Sequence, residues 1–282
     1  MAEACFQTRT CALCPHHCAI EAGKVGLCKA RGNVDGSIEA LSYSKITSKA
    51  LDPIEKKPLA RFKPNSTVLS IGSFGCNMRC PWCQNASIAQ VDVHGCRWQE
   101  IAPADIAREA KELERRGCIG VAYTYNEPLT FYEYMLDCCR LVHENGQDNV
   151  LVSNGMIEEA PLMKLAEHID AANIDLKTFN ANNYERIGGN LAAVQNTIEA
   201  LINAGAHVEV TTLVVPGFND SPDEIKQIAE WLSSFDDQMV LHLTRFFPRH
   251  KMRNSVPTPK SCLQECLLAA QAHLPNARLG NV

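Results

Sequence analysis

The 282-residue chain lacks any apolar run near the ~18 residues that a membrane-spanning helix needs, and Met1 to Thr10 carry no hydrophobic signal region. No membrane association is expected, and the expected compartment is the cytoplasm. A basic excess is also missing. The formal net charge is −5 and no stretch interleaves basic with aromatic residues, so neither nucleic acid nor an anionic membrane surface is an expected partner. Short repeats and low-complexity tracts are absent, and no acidic residue occurs between Asp237 and Glu265. What the chain has is 46% hydrophobic residues, enough for a large core in one main domain with an appendage, and 14 cysteines. In a long chain without an export signal, clustered cysteines point to metal rather than to a disulfide scaffold.

Three of them, Cys76, Cys80 and Cys83, lie in the loop Gly75–Asn85, directly after Thr67–Gly72, an apolar stretch rich in β-branched residues that predicts a strand. Three thiolates at i, i+4 and i+7 can hold three irons of a cuboidal iron-sulfur cluster and leave the fourth iron open. An ordinary zinc site or protein-held cluster takes four protein ligands. A zinc knuckle or a set of buried thiols is the competing reading. Five more cysteines fall between residues 5 and 28. Cys11, Cys14, Cys18 and Cys28, with Gly23 and Gly26 allowing tight turns, could close around one tetrahedral metal. Zinc is the first choice there and a four-thiolate iron-sulfur cluster the second. Cys5, His16 and His17 are substitute ligands, and unliganded thiols remain the plain alternative. Cys96, Cys118, Cys138, Cys139, Cys262 and Cys266 read as packing residues.

Residues 1–50 are expected to form an amino-terminal Cys-rich module with a hairpin around Asn33-Val34-Asp35-Gly36, and residues 51–66 a linker packed over the main domain. Pro53, Pro58 and Pro64 argue against regular elements there, and Lys56-Lys57 read as a solvated pair. Across 67–282, strand and helix patterns alternate. Strands are predicted at Val68–Gly72, Ile119–Tyr125, Val150–Ser153, Ala172–Lys177, His207–Val215 and Met239–Phe246. Helices are predicted at Pro103–Arg116, Thr130–Glu144, Pro161–His168, Ala193–Asn203, Pro222–Ser234 and Lys260–His273. Six strand-helix repeats imply an α/β fold with a parallel sheet, whose active site would lie at the carboxyl ends of the strands.

The Cys76-x3-Cys80-x2-Cys83 loop, with Trp82 before the last cysteine, resembles the signature of the radical S-adenosylmethionine (SAM) enzymes. The resemblance implies an open partial (βα)6 TIM-type barrel and a [4Fe-4S] cluster whose open iron is chelated by the amino and carboxylate groups of SAM. One electron, from a donor such as flavodoxin or ferredoxin, would cleave SAM to methionine and a 5′-deoxyadenosyl radical. That radical would abstract hydrogen from a protein or small-molecule substrate.

The resemblance assigns the mouth of the barrel to SAM. Asn126-Glu127-Pro128 stands where the family has Gly-Gly-Glu-Pro, with Glu127 suited to an ammonium. Ser153 and Asn154 suit ribose hydroxyls, with Asn154 as a left-handed turn residue the rival reading. Asp175 and Lys177 share a strand face and should meet a ligand or each other. Thr212 lies in a segment that borders the adenosine in the family's glycyl-radical-enzyme activases. His242, Arg245 and Arg249 would offer cations to SAM or to a substrate anion, with a solvated basic loop the rival reading.

Cys11-x2-Cys14-Pro15, Asp52-Pro53-Ile54-Glu55-Lys56-Lys57-Pro58-Leu59, Cys83-Gln84-Asn85 and Arg245-Phe246-Phe247-Pro248 together look like the radical SAM members of the AmmeMemoRadiSam group, relatives of pyruvate formate-lyase activating enzyme. Typical members continue past a Leu-Gly-Asn stretch into a second Cys-rich tail, whereas this sequence stops at Leu279-Gly280-Asn281-Val282. The expected function is SAM-dependent radical chemistry, with activation of a glycyl radical enzyme as one form of it. The rival is a structural metal-binding protein, with zinc or iron-sulfur at both cysteine sets, an RNA or protein partner and no SAM chemistry.

Overall fold

Apolar runs alternating with amphipathic stretches build one eight-stranded sheet and a layer of helices. The computed structural model describes residues 8–282, so Cys5 lies outside the described residues. The strands are β1 (Ser48–Pro53), β2 (Thr67–Gly72), β3 (Cys118–Tyr123), β4 (Asp148–Ser153), β5 (Ala171–Asp175), β6 (His207–Val214), β7 (Leu241–Arg245) and β8 (Arg278–Gly280). They lie in the sheet in chain order. β1 runs antiparallel to β2, with Leu51 opposite Leu69, and every later neighbour is parallel. The sheet's ends, β1 and β8, do not pair with each other, so the barrel is open.

The helices are α1 (Ala86–Ala89), α2 (Pro103–Glu112), α3 (Tyr132–Glu144), α4 (Glu159–Ala166), α5 (Ala181–Arg186), α6 (Leu191–Asn203), α7 (Pro222–Ser233) and α8 (Lys260–Gln271). Local sequence sets their ends. Pro103 and Pro222 occupy first-turn positions that need no donor, and the Asn190 side chain accepts the Ala193 amide at 3.0 Å to start α6. After α2 a short 3-10 turn runs to Gly117, whose φ of +79° ends it. Leu69, Ile71, Val121, Leu151, Ile174 and Val210 face the helices and pack with Ile106, Leu165, Ile198 and Ile228 in one core. Burying each such side chain contributes about 1.5–3 kcal/mol.

The inner face of the sheet carries a second, smaller core: Val68, Ala122, Val150 and Ala171 against Ile54 and Leu59. Ile54 and Leu59 come from the segment expected to be a linker over the barrel, which instead plugs the barrel at the amino-terminal ends of the strands. Glu209, near the start of β6, is fully buried. It accepts the amides of Ala60 (2.9 Å) and Arg61 (2.8 Å) and the imidazoles of His207 (2.9 Å) and His242 (2.6 Å). Asn173 Nδ2 donates to the Pro58 carbonyl at 2.8 Å.

Several expectations are corrected here. Ser48–Pro53 is a strand, because Pro53 sits at its last residue on a sheet edge, where no ladder donor is needed. Lys57 is buried, with its ammonium 2.8 Å from Asp52, whereas Lys56 is exposed. His242 belongs to the plug and not to the mouth. Arg278–Gly280 adds a seventh parallel strand too short to show periodicity. The expected hairpin is present: Arg31–Val34 pairs with Ser37–Ala40 across Asp35 and Gly36, both at positive φ. Among the described residues no helix is long and apolar enough to cross a membrane.

Candidate active site

The three-cysteine loop leaves the carboxyl end of β2 and is fastened on all sides. The Gly75 amide donates to Ile88 O (2.9 Å), the Cys76 amide to Cys28 O (3.1 Å) and the Arg79 amide to Ile187 O (2.7 Å). Asn77 Nδ2 donates to Met156 O at 2.7 Å and Asn85 Nδ2 to Tyr125 O at 2.6 Å. The Lys251 amide reaches Pro81 O at 2.9 Å, tying the loop after β7 to the cysteines. Phe74 and Met78 are buried beneath the loop. Such a frame holds the three thiols in place before any ligand arrives.

Burial pushes the thiols of Cys76, Cys80 and Cys83 above the usual range, Cys80 to about 11. Without a metal they stay protonated and inert as nucleophiles at neutral pH. A metal would convert them to thiolates. Among the described residues no three His, Cys, Asp or Glu side chains stand together so as to hold a single metal ion. Three thiols presented by one loop suit a cluster in which each sulfur takes its own iron.

Asp175 and Lys177 meet as the strand alternation requires, Nζ to Oδ2 at 2.7 Å. Burial disfavours the Lys177 charge, but Asp175 and then Cys80 outweigh it and hold the amine charged. Its field acts on both Cys80 and Cys83. The Lys177 amide donates to the Tyr184 hydroxyl at 2.9 Å, which fixes the backbone there.

Glu127 is buried and its carboxylate is occupied. Oε1 accepts from Ser153 Oγ (2.7 Å) and the Leu129 amide (3.1 Å), and Oε2 from the Asn154 amide (2.8 Å). Burial pushes its carboxyl up to about 7 against those bonds. The residue joins the end of β3 to the end of β4. Asn126 Oδ1 accepts the Ser73 amide (2.8 Å) and its Nδ2 donates to Gly75 O (3.1 Å), so it braces the cysteine loop. Asn154 Nδ2 lies 3.7 Å from Cys76 Sγ and 2.9 Å from Asn77 Oδ1. The left-handed residue of that turn is Gly155, at φ +72°.

Trp82 is buried edge-to-face against Phe218, with centroids 4.8 Å apart. Thr212 is on the helix-facing side of β6, donating to Leu176 O at 2.9 Å, while its neighbour Thr211 faces inward and bonds Asn173 Oδ1. Arg245 Nε donates to Thr258 O at 2.8 Å and its guanidinium lies over Phe247. Cys76, Cys80, Cys83, Trp82, Asn126, Glu127, Ser153, Asn154, Asp175 and Lys177 thus gather at the carboxyl ends of β2 to β5. Thr212 and Arg245 do not turn into that space. Sequence reasoning missed Asn77, Tyr125 and Phe218. Of these Tyr125, at φ +70° two residues after the end of β3, is the sort of strained bulky residue that accompanies function.

Comparison with known proteins gives a consistent result. Residues 70–232 match the family described as the Radical SAM superfamily. An uncharacterized protein of Methanocaldococcus jannaschii is 39% identical over 275 residues, covering 96% of this chain and 81% of that one. The benzylsuccinate synthase activating enzyme of Thauera aromatica is 28% identical over 188 residues, 65% of this chain and 56% of that enzyme. Among solved structures, Streptococcus suis SuiB bound to its precursor peptide SuiA shares the fold, with TM-score 0.58 at 12% identity over 73% of this chain and 46% of that one.

Proposed function

Because the chain belongs to the radical SAM superfamily, we propose that it is an enzyme that holds a [4Fe-4S] cluster through Cys76, Cys80 and Cys83, binds SAM at the carboxyl mouth of the barrel and abstracts hydrogen from a substrate. When bound, the cluster would supply the electron for reductive cleavage of SAM to methionine and a 5′-deoxyadenosyl radical. An electron donor such as flavodoxin or ferredoxin would deliver that electron.

The observation that carries this reading is the set of three half-buried thiols beside the Asp175–Lys177 pair, on a loop tied to segments before and after it in the chain. Lys177 offsets the negative charge of the thiolates, and Asp175 keeps its ammonium oriented. Trp82, next to Cys83 in the chain, packs edge-to-face on Phe218 and adds an apolar side to the loop. Ser153 and Asn154 sit at the floor of the mouth, buried and bonded to Glu127, Gly155, Asn77 and Met156, so they brace the site. A peptide loop of a glycyl radical enzyme is the first substrate to try, since the Thauera aromatica relative is named an activating enzyme.

The test is anaerobic reconstitution followed by dithionite and SAM, with 5′-deoxyadenosine measured by mass spectrometry. The native chain should form it, and Cys76→Ala, Cys80→Ala and Cys83→Ala should not. An intact cluster that yields none overturns the reading. Incubation with a glycyl radical enzyme should then yield a glycyl radical signal by electron paramagnetic resonance. Its absence alongside active SAM cleavage assigns the substrate to another protein or a small molecule.

A further inference from the structure

The amino-terminal cysteines are not absorbed by that reading. Cys11, Cys14, Cys18 and Cys28 are spread over 18 residues of the module, yet all four line one small cavity, together with His16, Arg31 and Asn77. The two histidines that could have replaced a thiol are engaged. His16 Nε2 is 2.7 Å from Asn77 O, and His17 Nε2 is 3.1 Å from Glu158. That leaves four sulfurs as the donor set.

Arg31 supplies an independent sign of what belongs there. It is only 6% exposed and is held by Glu133 through two bonds of 2.7 Å. Its Nε has no hydrogen-bond partner. An orphaned, buried guanidinium N–H in the wall of a four-thiol cavity asks for an anionic acceptor, and a metal tetrathiolate is one.

The arrangement of the donors bears on the metal. Zinc bonded at ~2.3 Å draws four sulfurs to within about 4 Å of each other. Among the described residues no three His, Cys, Asp or Glu side chains are arranged to hold a single ion, in the amino-terminal set as in Cys76, Cys80 and Cys83. A cubane gives each thiolate its own iron and so accepts sulfurs that are farther apart.

We propose that Cys11, Cys14, Cys18 and Cys28 hold a second, fully cysteine-ligated [4Fe-4S] cluster, with Arg31 Nε donating to one of its sulfurs. This site goes beyond the SAM reading and does not depend on it. It shares a wall with the three-cysteine loop: Cys28 O accepts the Cys76 amide, and Gly75 packs on Ala30.

The test uses the full chain carrying Cys76→Ala, Cys80→Ala and Cys83→Ala, purified without oxygen and reconstituted with ferrous iron and sulfide. Iron, zinc and labile sulfide are then counted. The expected result is about four irons and four sulfides per chain, with an electron paramagnetic resonance signal on reduction. Further substitution of Cys11 and Cys14 by Ser should abolish both. One zinc without sulfide, or no retained metal, overturns the proposal. The unsubstituted chain should carry about four irons more than a chain with only Cys11→Ser and Cys14→Ser, and an equal count would also overturn it. Neither count changes if SAM cleavage fails. Arg31→Lys, which keeps the charge but alters the fork, should lose its amino-terminal iron to a chelator about ten times faster than the native chain. An unchanged rate overturns the role of Arg31.

Discussion

The carbonyl of Cys28 accepts the amide hydrogen of Cys76 at 3.1 Å. One cysteine from each set is thereby joined through a backbone bond, and the amino-terminal module becomes part of the support of the three-cysteine loop. The neighbouring contact is tighter still. Gly75 has φ +87°, and a Cβ there would stand 2.4 Å from the same Cys28 oxygen and 2.7 Å from Ala30 Cβ.

Gly75→Ala should therefore damage the loop out of proportion to its size. The left-handed backbone alone costs about 1–2 kcal/mol for a residue with a Cβ. Gly217, at φ +73° with nothing within 4 Å of its would-be Cβ, bears that cost without a collision. Gly217→Ala should lose about 1 kcal/mol of stability and keep its 5′-deoxyadenosine yield. Gly75→Ala should lose more, and its SAM cleavage should fall at least about tenfold, as a loss of about 1.4 kcal/mol in positioning would give. Equal behaviour of the two variants in urea titration and turnover would show that the close approach to Cys28 is unimportant.

The buried pair in the barrel plug gives a second expectation. Asp52 accepts from Lys57 (2.8 Å) and Tyr125 (2.7 Å), and the Lys57 ammonium lies over the Tyr125 ring. Burial raises the Asp52 carboxyl, but Lys57 and then Tyr125 overcome it and hold it well below the usual carboxylate range. Lys57→Met leaves that charge without its main partner and should cost about 3–5 kcal/mol. The double variant Asp52→Asn, Lys57→Met removes both charges and should recover most of the loss. Urea midpoints of the three chains check this, and a double variant no better than the single one would count against it.

Much of the fold could be read from the residues. The β-branched runs at Thr67–Gly72, Asp148–Ser153 and His207–Val214 are long enough to show strand character, and Pro103, Gly117 and Pro222 mark helix ends wherever they occur. The plug could not. Prolines at 53, 58 and 64 signal irregular backbone, and nothing local says that such backbone enters a barrel. Glu209 sits in His207-Val208-Glu209-Val210, which alternates like any half-exposed strand, whereas its actual partners are amides about 150 positions earlier. The same limit explains the candidate site. Asp175 and Lys177 follow from alternation along one strand, but the bonds that occupy Glu127 come from the turn after β4. Thr212 was assigned without its face, which the inward position of Glu209 would have supplied.

Glu209 also sets an acid limit on stability. Burial raises its carboxyl, but the imidazoles of His207 and His242 and the amides of Ala60 and Arg61 bring it down to about 2. A depressed folded value means that the stabilisation is complete above the ordinary value near 4.5 and disappears as pH falls through about 2. Its size is on the order of 3 kcal/mol. The stability difference between the native chain and Glu209→Gln, from urea titrations, should be largest at pH 5 and shrink steadily toward pH 2.5. A difference that stays constant over that range would mean that the carboxylate charge is not what holds the plug.

Lys177 separates a structural ion pair from a group that serves SAM. Lys177→Met leaves Asp175 facing the cluster thiolates, and Asp175→Asn leaves a buried ammonium without its 2.7 Å partner, so each single variant should lose both stability and SAM cleavage. Removing both charges together relieves the burial cost, and the double variant should return to within about 1 kcal/mol of native stability. If the pair merely filled the barrel, cleavage would return with it. Because the Lys177 charge acts on Cys80 and Cys83, cleavage in the double variant should instead stay at least about tenfold down, the effect of losing about 1.4 kcal/mol of charge stabilisation. Thermal melts and 5′-deoxyadenosine yields on the same three reconstituted chains give the answer, and parallel recovery of both quantities would assign the pair to the scaffold alone.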